Sequence, residues 1–375
     1  MLLSKRPALA RLVAFQRVCT FSTSSYNTSS ASSIASAFLS RFQSQGPQVR
    51  TQILDANQLQ LLSLTLDRPT LYPGTADLSR NAPAPATGTP IPPGYHLVYF
   101  TPAFLEHDLG ADGTDTSYNP DAPFTRRMWA GGEVRWPRDS NGKLNLLRVG
   151  QEVRETTRVL SAEPKVVRKT GEEMIVVGVE KTFENEEGVA VVDRRNWVFR
   201  KALPSTPNLQ QPTSAPSPSS PSPSTTSPSK QPSPTDKESG LSTTSKIHKR
   251  TFTRTPVTLF RFSALTFNSH KIHYLLPWAR EVEGHRNIVV HGPLNLISIL
   301  DFWRDVRQEE AEKEDGHGGG GDSTLLVPES ISYRATSPLY ADEEYQIVLE
   351  DLGHESKVNI YNHEGVVAMK ADIKG

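Results

Sequence analysis

Paired apolar segments, each pair separated by a short polar turn, predict a β-hairpin near the end of each half of the chain. The strands of the first hairpin are predicted at residues 174–184 and 189–199, and those of the second at 356–361 and 366–373. β-Branched residues are enriched in these segments, and the intervening NEEG and NHEG sequences contain the Asn and Gly that tight turns favour. Each pair of segments is therefore predicted to form antiparallel strands.

A further strand is predicted before each hairpin, at residues 148–160 and 341–352. The same order of strands thus occurs twice, and the segments NEEGVAVV and NHEGVVAM resemble each other. Internal similarity of this kind indicates a duplicated β-rich unit.

The second half contains one strong helix candidate, residues 291–310. Apolar residues at helical spacing cover most of its surface: Leu294, Leu296, Ile297, Ile299, Leu300, Phe302, Trp303 and Val306. This pattern predicts a helix that is buried in the concavity of a sheet. Pro293 suits the first turn of a helix, and Gly292 before it allows another group to approach the free amides closely.

Two other segments have less regular patterns. Residues 260–267 (FRFSALTF) have the aromatic-rich alternation of a strand. Residues 124–136 have an apolar centre and form a weaker helix candidate, broken by Gly131 and Gly132.

The N-terminal segment differs in composition from the rest of the chain. The first acidic residue is Asp55, whereas basic residues and a Ser/Thr-rich tract precede it. An Arg-rich, Ser-rich and acid-free start is typical of a mitochondrial presequence. We therefore expect residues 1–45 to be a presequence and the protein to reside in the mitochondrial matrix; the alternative is a disordered tail.

Residues 203–247 consist almost entirely of Pro, Ser, Thr and Gln. Such a segment cannot bury enough apolar surface to offset the entropy of ordering it, so we predict a disordered linker. The linker separates an N-terminal unit, residues 50–202, from a C-terminal unit, residues 248–375.

Composition excludes several functions. The formal net charge is zero, whereas nucleic-acid-binding proteins are usually basic. No apolar run approaches the roughly 20 residues that cross a bilayer. The only cysteine is Cys19, inside the predicted presequence. A mature chain without cysteine has no disulfide, cysteine nucleophile or thiolate metal ligand.

Candidate chemistry is concentrated between residues 268 and 292. His270 and His273 follow the predicted strand at 260–267, and His291-Gly292 begins the predicted buried helix. A histidine suits proton transfer near neutral pH, and a helix N-terminus offers unpaired amides to an oxygen that gains negative charge. This combination indicates acid/base chemistry on a carbonyl compound.

Two other interpretations of these histidines stay open. One is a metal site, but residues three apart on a strand point to opposite faces, and only Glu281 and Glu283 lie nearby as carboxylates. The other is that the histidines are structural and have satisfied hydrogen bonds. We expect no metal.

The stretch FSALTFNSHKIHYLLPWAREVEGHRNIVVHGPL resembles the active-site region of MaoC-like hot-dog hydratases and dehydratases. It is most similar to the type 2 hydroxyacyl-thioester dehydratase and mesaconyl-CoA hydratase branch. APFTRRMWAGGEVRW and LRVGQEVRETTRVL resemble the N-terminal unit of the same proteins. The resemblance implies an α+β fold of two tandem hot-dog units, each a curved antiparallel sheet around a central helix, with the N-terminal unit non-catalytic.

The resemblance also implies roles for individual residues. His273 takes the position of the catalytic His, and Asn268 that of an Asp that helps to activate water in the wider family. The backbone amide of Gly292, after His291, would bind the thioester oxygen. Ser269 and His270 would help to position the substrate. An amide cannot accept a proton, so His273 would act as the only base.

The implied function is a (3R)-3-hydroxyacyl-thioester dehydratase of mitochondrial type II fatty acid synthesis. Its substrate would be carried on acyl carrier protein or coenzyme A, with no cofactor, because elimination of water is redox-neutral. The alternatives are a mesaconyl-C4-CoA hydratase-like enzyme and a non-catalytic acyl-thioester-binding protein. A monomeric pseudo-dimer or a homodimer is expected.

Overall fold

The computed structural model describes residues 30–168, 170–203, 246–314 and 325–375. Within them the strands form one antiparallel sheet in the order β1-β3-β4-β5-β2-β7-β10-β9-β8-β6. The strands are β1 Gln48–Ile53, β2 Arg126–Arg135, β3 Glu152–Val166, β4 Glu173–Asn185, β5 Gly188–Arg200, β6 Lys246–Thr253, β7 Ser330–Ala335, β8 Glu344–Asp351, β9 Glu355–Asn362 and β10 Val367–Lys374. Both predicted hairpins are confirmed, as β4–β5 and β9–β10.

The sheet consists of two units with the same connectivity. The first five strands lie in the order β1-β3-β4-β5-β2, and the second five in the same order reversed, with β2 and β7 paired antiparallel at the centre. Each unit begins with a strand followed by a helix: β1 and α2 (Ala56–Thr65), then β6 and α3 (Pro256–Leu265). This arrangement confirms two tandem hot-dog units.

Helix α3 corrects a prediction, since residues 260–267 were expected to form a strand. The side chain of Thr255 accepts a hydrogen bond from the amide of Thr258, and Pro256 lies in the first turn, so the sequence carries a helix start signal. Leu259 and Phe262, three residues apart, are fully buried, whereas Phe260 is exposed. The aromatic alternation therefore lies on two faces of a helix.

Helix α4 (Gly292–Glu314) is the predicted buried helix, and it is the longest helix of the described residues. Its apolar side chains, including Leu296, Ile297 and Leu300, are completely buried. They belong to a core cluster that includes residues of both units. No helix in the described part of the chain is long and apolar enough to cross a membrane.

The first unit has no long helix between α2 and β2 in the described residues; short 3₁₀ turns such as Tyr95–Val98 lie there instead. The Tyr95 hydroxyl donates to Asp301 of α4 over 3.1 Å. Gly94 has φ +87°, and a Cβ there would lie 2.9 Å from Leu300, so only glycine fits. Residues 124–136, the weaker helix candidate, form mainly strand β2 instead.

Helix α1 (Ala31–Gln45) covers a second apolar cluster on β3, β4 and β5. It buries Ile34, Phe38 and Phe42 against residues that include Ile175, Val177 and Trp197. This helix falls within the predicted presequence, whose residues 1–29 lie outside the described residues. Most of the predicted linker, 204–245, also lies outside them, and β6 begins at Lys246.

Candidate active site

His273 lies in a 3₁₀ turn (Lys271–His273) that follows α3, rather than at the end of a strand. Its Nδ1 lies 2.8 Å from the backbone oxygen of Val289. A carbonyl oxygen only accepts, so Nδ1 carries the proton and the lone pair of the ring is on Nε2. His273 lines the large cavity described below. Nε2 is therefore the atom that can accept a proton from a bound molecule.

His291 packs directly on His273. The two rings are stacked, with centroids 3.6 Å apart and planes at 19°. His291 Nε2 lies 2.9 Å from the hydroxyl oxygen of Ser263 on α3, and its backbone oxygen accepts the first hydrogen bond of α4, from Asn295. The ring is 1% exposed. The stack thus places the His273 ring beside the start of α4.

Gly292 is the first residue of α4 and lines the same cavity. Its amide and that of Leu294 precede the first intrahelical hydrogen bond, and Pro293 between them has no amide hydrogen. The indole of Trp129, from β2, lies beside Gly292: a Cβ at this position would be 3.4 Å from the ring. Gly292 therefore lies on the cavity wall between His273 and a surface built by the other unit.

Asn268 and Ser269 lie at the same site, but their side chains bond to the backbone. Asn268 Oδ1 accepts a hydrogen bond from the amide of His270 over 3.1 Å, which stabilises the turn. The Ser269 hydroxyl donates to the backbone oxygen of Gly113 over 2.7 Å. Both residues line the cavity.

His270 is the third member of a contiguous group of imidazoles. Its ring meets that of His273 edge to face, with centroids 5.3 Å apart. Nε2 is buried without a hydrogen-bond partner among the described residues. The nearest carboxylate oxygen is Oδ2 of Asp112, 3.7 Å away, contributed by the first unit. Sequence reasoning missed Asp112, which is distant along the chain; the tight GADGT turn was the only local signal.

Burial keeps all three imidazoles neutral. It lowers the pKa of His273 to about 3, and the neighbouring His270 adds to the effect. Burial lowers the pKa of His270 to about 3 as well, with help from Arg127 and Arg126. Burial holds the pKa of His291 well below its ordinary value. Near neutral pH, each ring therefore offers one N–H donor and one lone pair.

A cavity of about 1340 Å³ is lined by residues of both units, and all six predicted site residues lie on its wall. The second unit contributes the histidines and Gly292. The wall from the first unit includes aromatic side chains such as Trp129 and Trp197. The structure thus brings the predicted residues together in one site between the units.

The first unit contains a set of buried paired charges, here called the charged layer: Glu155, Lys181, Asp193 and Arg195. Lys181 Nζ is 3.0 Å from Glu155 Oε2, and Arg195 is 2.5 Å from Asp193 Oδ2. Burial lowers the pKa of Lys181. Glu155, Lys181 and Arg195 line the cavity. The far wall of the cavity is therefore polar as well as aromatic.

This geometry provides a proton acceptor, His273 Nε2, and hydrogen-bond donors at a helix N-terminus in one cavity. Together they can move a proton while stabilising an oxygen that gains negative charge. Within the described residues, no group of three or more His, Cys, Asp or Glu side chains could hold a metal ion.

Comparison with known proteins identifies the family. The family model described as hydroxyacyl-thioester dehydratase type 2 matches residues 94–236 and 224–341. The chain belongs to this family. Membership confirms the predicted class of enzyme, a hydro-lyase.

Two curated members of the wider group are similar to this chain. A mesaconyl-C(4)-CoA hydratase of Chloroflexus aurantiacus is 26% identical over 301 residues, covering 80% of this chain and 89% of that protein. A mitochondrial hydroxyacyl-thioester dehydratase type 2 of Schizosaccharomyces pombe is 24% identical over 284 residues, covering 71% of this chain and 80% of that protein.

Solved structures agree on the fold. A MaoC-like dehydratase from Phytophthora capsici superposes with a TM-score of 0.51 at 12% identity, covering 88% of this chain and 94% of that one. The peroxisomal multifunctional enzyme type 2 of Drosophila melanogaster also gives 0.51 at 12% identity, covering 92% of this chain and 52% of that one. At these identities the similarity concerns the fold alone.

Proposed function

We propose that this member of the family catalyses the reversible addition of water to trans-2-enoyl thioesters, with His273 as the acid/base group. One observation carries the proposal. The Nδ1–H of His273 is fixed on the Val289 carbonyl, so Nε2 is the proton acceptor at the cavity wall, beside the free amides that begin α4 at Gly292.

In the hydration direction, His273 Nε2 takes a proton from water as the water oxygen bonds to C3. The π electrons move towards the thioester, whose oxygen gains negative charge at the Gly292 amide. The imidazolium then returns the proton to C2, which gives the 3-hydroxyacyl thioester. Dehydration is the reverse: His273 removes the C2 proton and delivers it to the departing hydroxyl. General acid–base catalysis of this kind typically contributes about 10²–10⁴ in rate.

For the physiological reaction we propose (3R)-3-hydroxyacyl dehydration in mitochondrial type II fatty acid synthesis, on acyl carrier protein in the matrix. Two observations support this assignment. The N-terminal segment has the composition of a presequence. The similar protein of S. pombe is named as a mitochondrial hydroxyacyl-thioester dehydratase. If the presequence ends before Ala31, the mature protein keeps α1, which covers the second apolar cluster.

The charged layer favours a second candidate, hydration of a short dicarboxylic thioester such as mesaconyl-CoA. Lys181 and Arg195 put cationic groups into the cavity wall, although each is paired with a carboxylate. A long alkyl chain gains no apolar burial from such a surface. The similar protein of C. aurantiacus is named for the mesaconyl substrate.

The test is turnover by the chain from residue 30, with trans-2-enoyl thioesters of several lengths and mesaconyl-CoA. Loss of the conjugated double bond is followed for the wild type, for His273→Ala, and for His354→Ala, an exposed histidine that serves as control. Hydration of fatty enoyl thioesters that disappears only in His273→Ala is the expected result. Reaction of mesaconyl-CoA alone would support the second candidate. Binding without turnover of any thioester would contradict both and favour a binding protein.

A further inference from the structure

A tight turn of the first unit, residues 110–114, is hydrogen-bonded to the segment of the second unit that leads into His273. The amide of Lys271 donates to the backbone oxygen of Asp112 over 2.8 Å, and Ser269 bonds to Gly113 as described above. Gly113 has φ +83°, and a Cβ there would collide with the backbone oxygen of Ser269. The first unit therefore fixes the residues that precede His273.

The carboxylate of Asp112 is buried within this contact, at 9% exposure. Its Oδ1 accepts two hydrogen bonds from Thr114, from the amide at 3.0 Å and from the hydroxyl at 2.7 Å. These bonds hold the carboxylate in one orientation. Oδ2 then lies 3.7 Å from His270 Nε2, which is buried and has no hydrogen-bond partner among the described residues.

We propose that Asp112 is a positioning residue for the reaction, and that the Asp112–His270 pair takes the part of the carboxylate that Asn268 cannot supply. A movement of less than about 1 Å that brings these two side chains together lets Oδ2 accept the Nε2–H of His270. This bond fixes the tautomer whose lone pair is on Nδ1. The proposal rests on the proposed function, because the task of the pair is to hold the attacking water.

The arrangement of the His270 and His273 rings supports a role in holding the attacking water. His270 and His273 both line the cavity, and their rings are in contact. With Nδ1 of His270 and Nε2 of His273 unprotonated, the two rings can accept both hydrogens of one water molecule. His273 then takes the proton and His270 keeps the water oriented. Asn268 Oδ1 already accepts a hydrogen bond from the His270 amide, and as an amide oxygen it cannot take the proton.

The decisive variant is Asp112→Asn, which keeps the shape of the side chain and an oxygen for Thr114. Its amide group would point a donor at His270 Nε2, so the imidazole would adopt the other tautomer and lose its lone pair on Nδ1. We expect kcat for enoyl thioester hydration to fall about 10²-fold, with KM changed less than threefold and the melting temperature nearly unchanged. Asp108→Asn, an exposed carboxylate near the same turn, is the control and should match the wild type.

Two further measurements separate positioning from mere support of the fold. His270→Asn and the double variant with Asp112→Asn should have the same kcat as Asp112→Asn alone, because the two residues act as one unit. Nitrogen-15 NMR should show His270 protonated on Nε2 in the wild type and on Nδ1 in Asp112→Asn.

Each contrary result has a distinct meaning. If Asp112→Asn keeps kcat within threefold while His273→Ala is inactive, the positioning role is wrong and the proposed function stands. If Asp112→Asn lowers the melting temperature and raises KM without lowering kcat, Asp112 only stabilises the contact between the two turns, and the proposal is again wrong. If His273→Ala retains full turnover, the proposed function itself fails.

Discussion

The imidazole rings of His273 and His291 lie parallel and in contact, with centroids 3.6 Å apart. His291 immediately precedes the helix start at Gly292, and His273 lies in the 3₁₀ turn after α3. The stack therefore joins the proton acceptor to the amides that would bind the thioester oxygen. Burial lowers the pKa of both rings, so both are neutral near neutral pH.

The stability of the protein should consequently depend on pH in a defined window. The folded-state pKa of His270 and His273 is about 3, against an ordinary value of 6.5, and that of His291 is lowered too. Between pH 6.5 and 3 the unfolded chain binds more protons, so the free energy of unfolding falls as pH is lowered and is unaffected by these groups above 6.5. Each histidine contributes about 1.4 kcal/mol per pH unit.

Urea unfolding between pH 7 and 4.5 checks this prediction. Below pH 6.5 the unfolding free energy of His291→Asn should depend less steeply on pH than that of the wild type. The expected difference in slope is about 1.4 kcal/mol per pH unit, which corresponds to one proton fewer taken up on unfolding. Identical slopes would mean that His291 titrates normally in the folded state.

Gly292→Ala should leave the fold intact and impair the reaction. The added Cβ would make an ordinary contact, 3.4 Å from the Trp129 ring, and alanine is favourable in a helix. The methyl group would, however, narrow the gap through which a thioester oxygen reaches the first amide of α4. We expect the unfolding free energy to change by less than about 1 kcal/mol and kcat/KM to fall about 10- to 100-fold. An unchanged kcat/KM would show that this amide does not bind the substrate.

Removal of α1 should destabilise the protein. A chain that begins at residue 46 lacks Ile34, Phe38 and Phe42, which cover Val177 and Trp197 in the second apolar cluster. Burial of one such side chain contributes about 1.5–3 kcal/mol. We expect a lower melting temperature and binding of a hydrophobic dye, compared with a chain that begins at residue 30. Equal stability would mean that α1 is dispensable and that a presequence extending to residue 45 is compatible with the fold.

The charged layer should influence the choice of acyl group. Lys181→Met alone leaves the buried Glu155 carboxylate without its partner, which typically costs about 3–5 kcal/mol. The double variant Glu155→Gln/Lys181→Met removes both charges and should be close to the wild type in stability. It should raise kcat/KM for longer straight-chain enoyl thioesters about tenfold relative to mesaconyl-CoA, because each buried methylene contributes about 0.8 kcal/mol. An unchanged ratio would place the acyl group away from this wall.

Local pattern predicted the sheet well. The hairpins β4–β5 and β9–β10 follow from β-branched enrichment and turn residues, and α4 follows from its helical apolar spacing, because these signals come from residues close together in the chain. Helix α3 was mistaken for a strand because its Phe260 and Phe262 alternate with polar residues. The Thr255-Pro256 start signal, rather than alternation, decides that segment.

By itself, the sequence determined the duplicated β-rich unit, the buried helix and the group of histidines between residues 268 and 292. Side-chain periodicity and helix start signals are local properties, so one chain segment carries each of them. Only the tertiary structure decided that Asp112 lies beside His270, that Trp129 faces Gly292, and that α1 covers the first unit. Those contacts join residues far apart in the chain. The first two form where the two units meet and bury a shared core around α4, and the third forms because α1 buries the second apolar cluster.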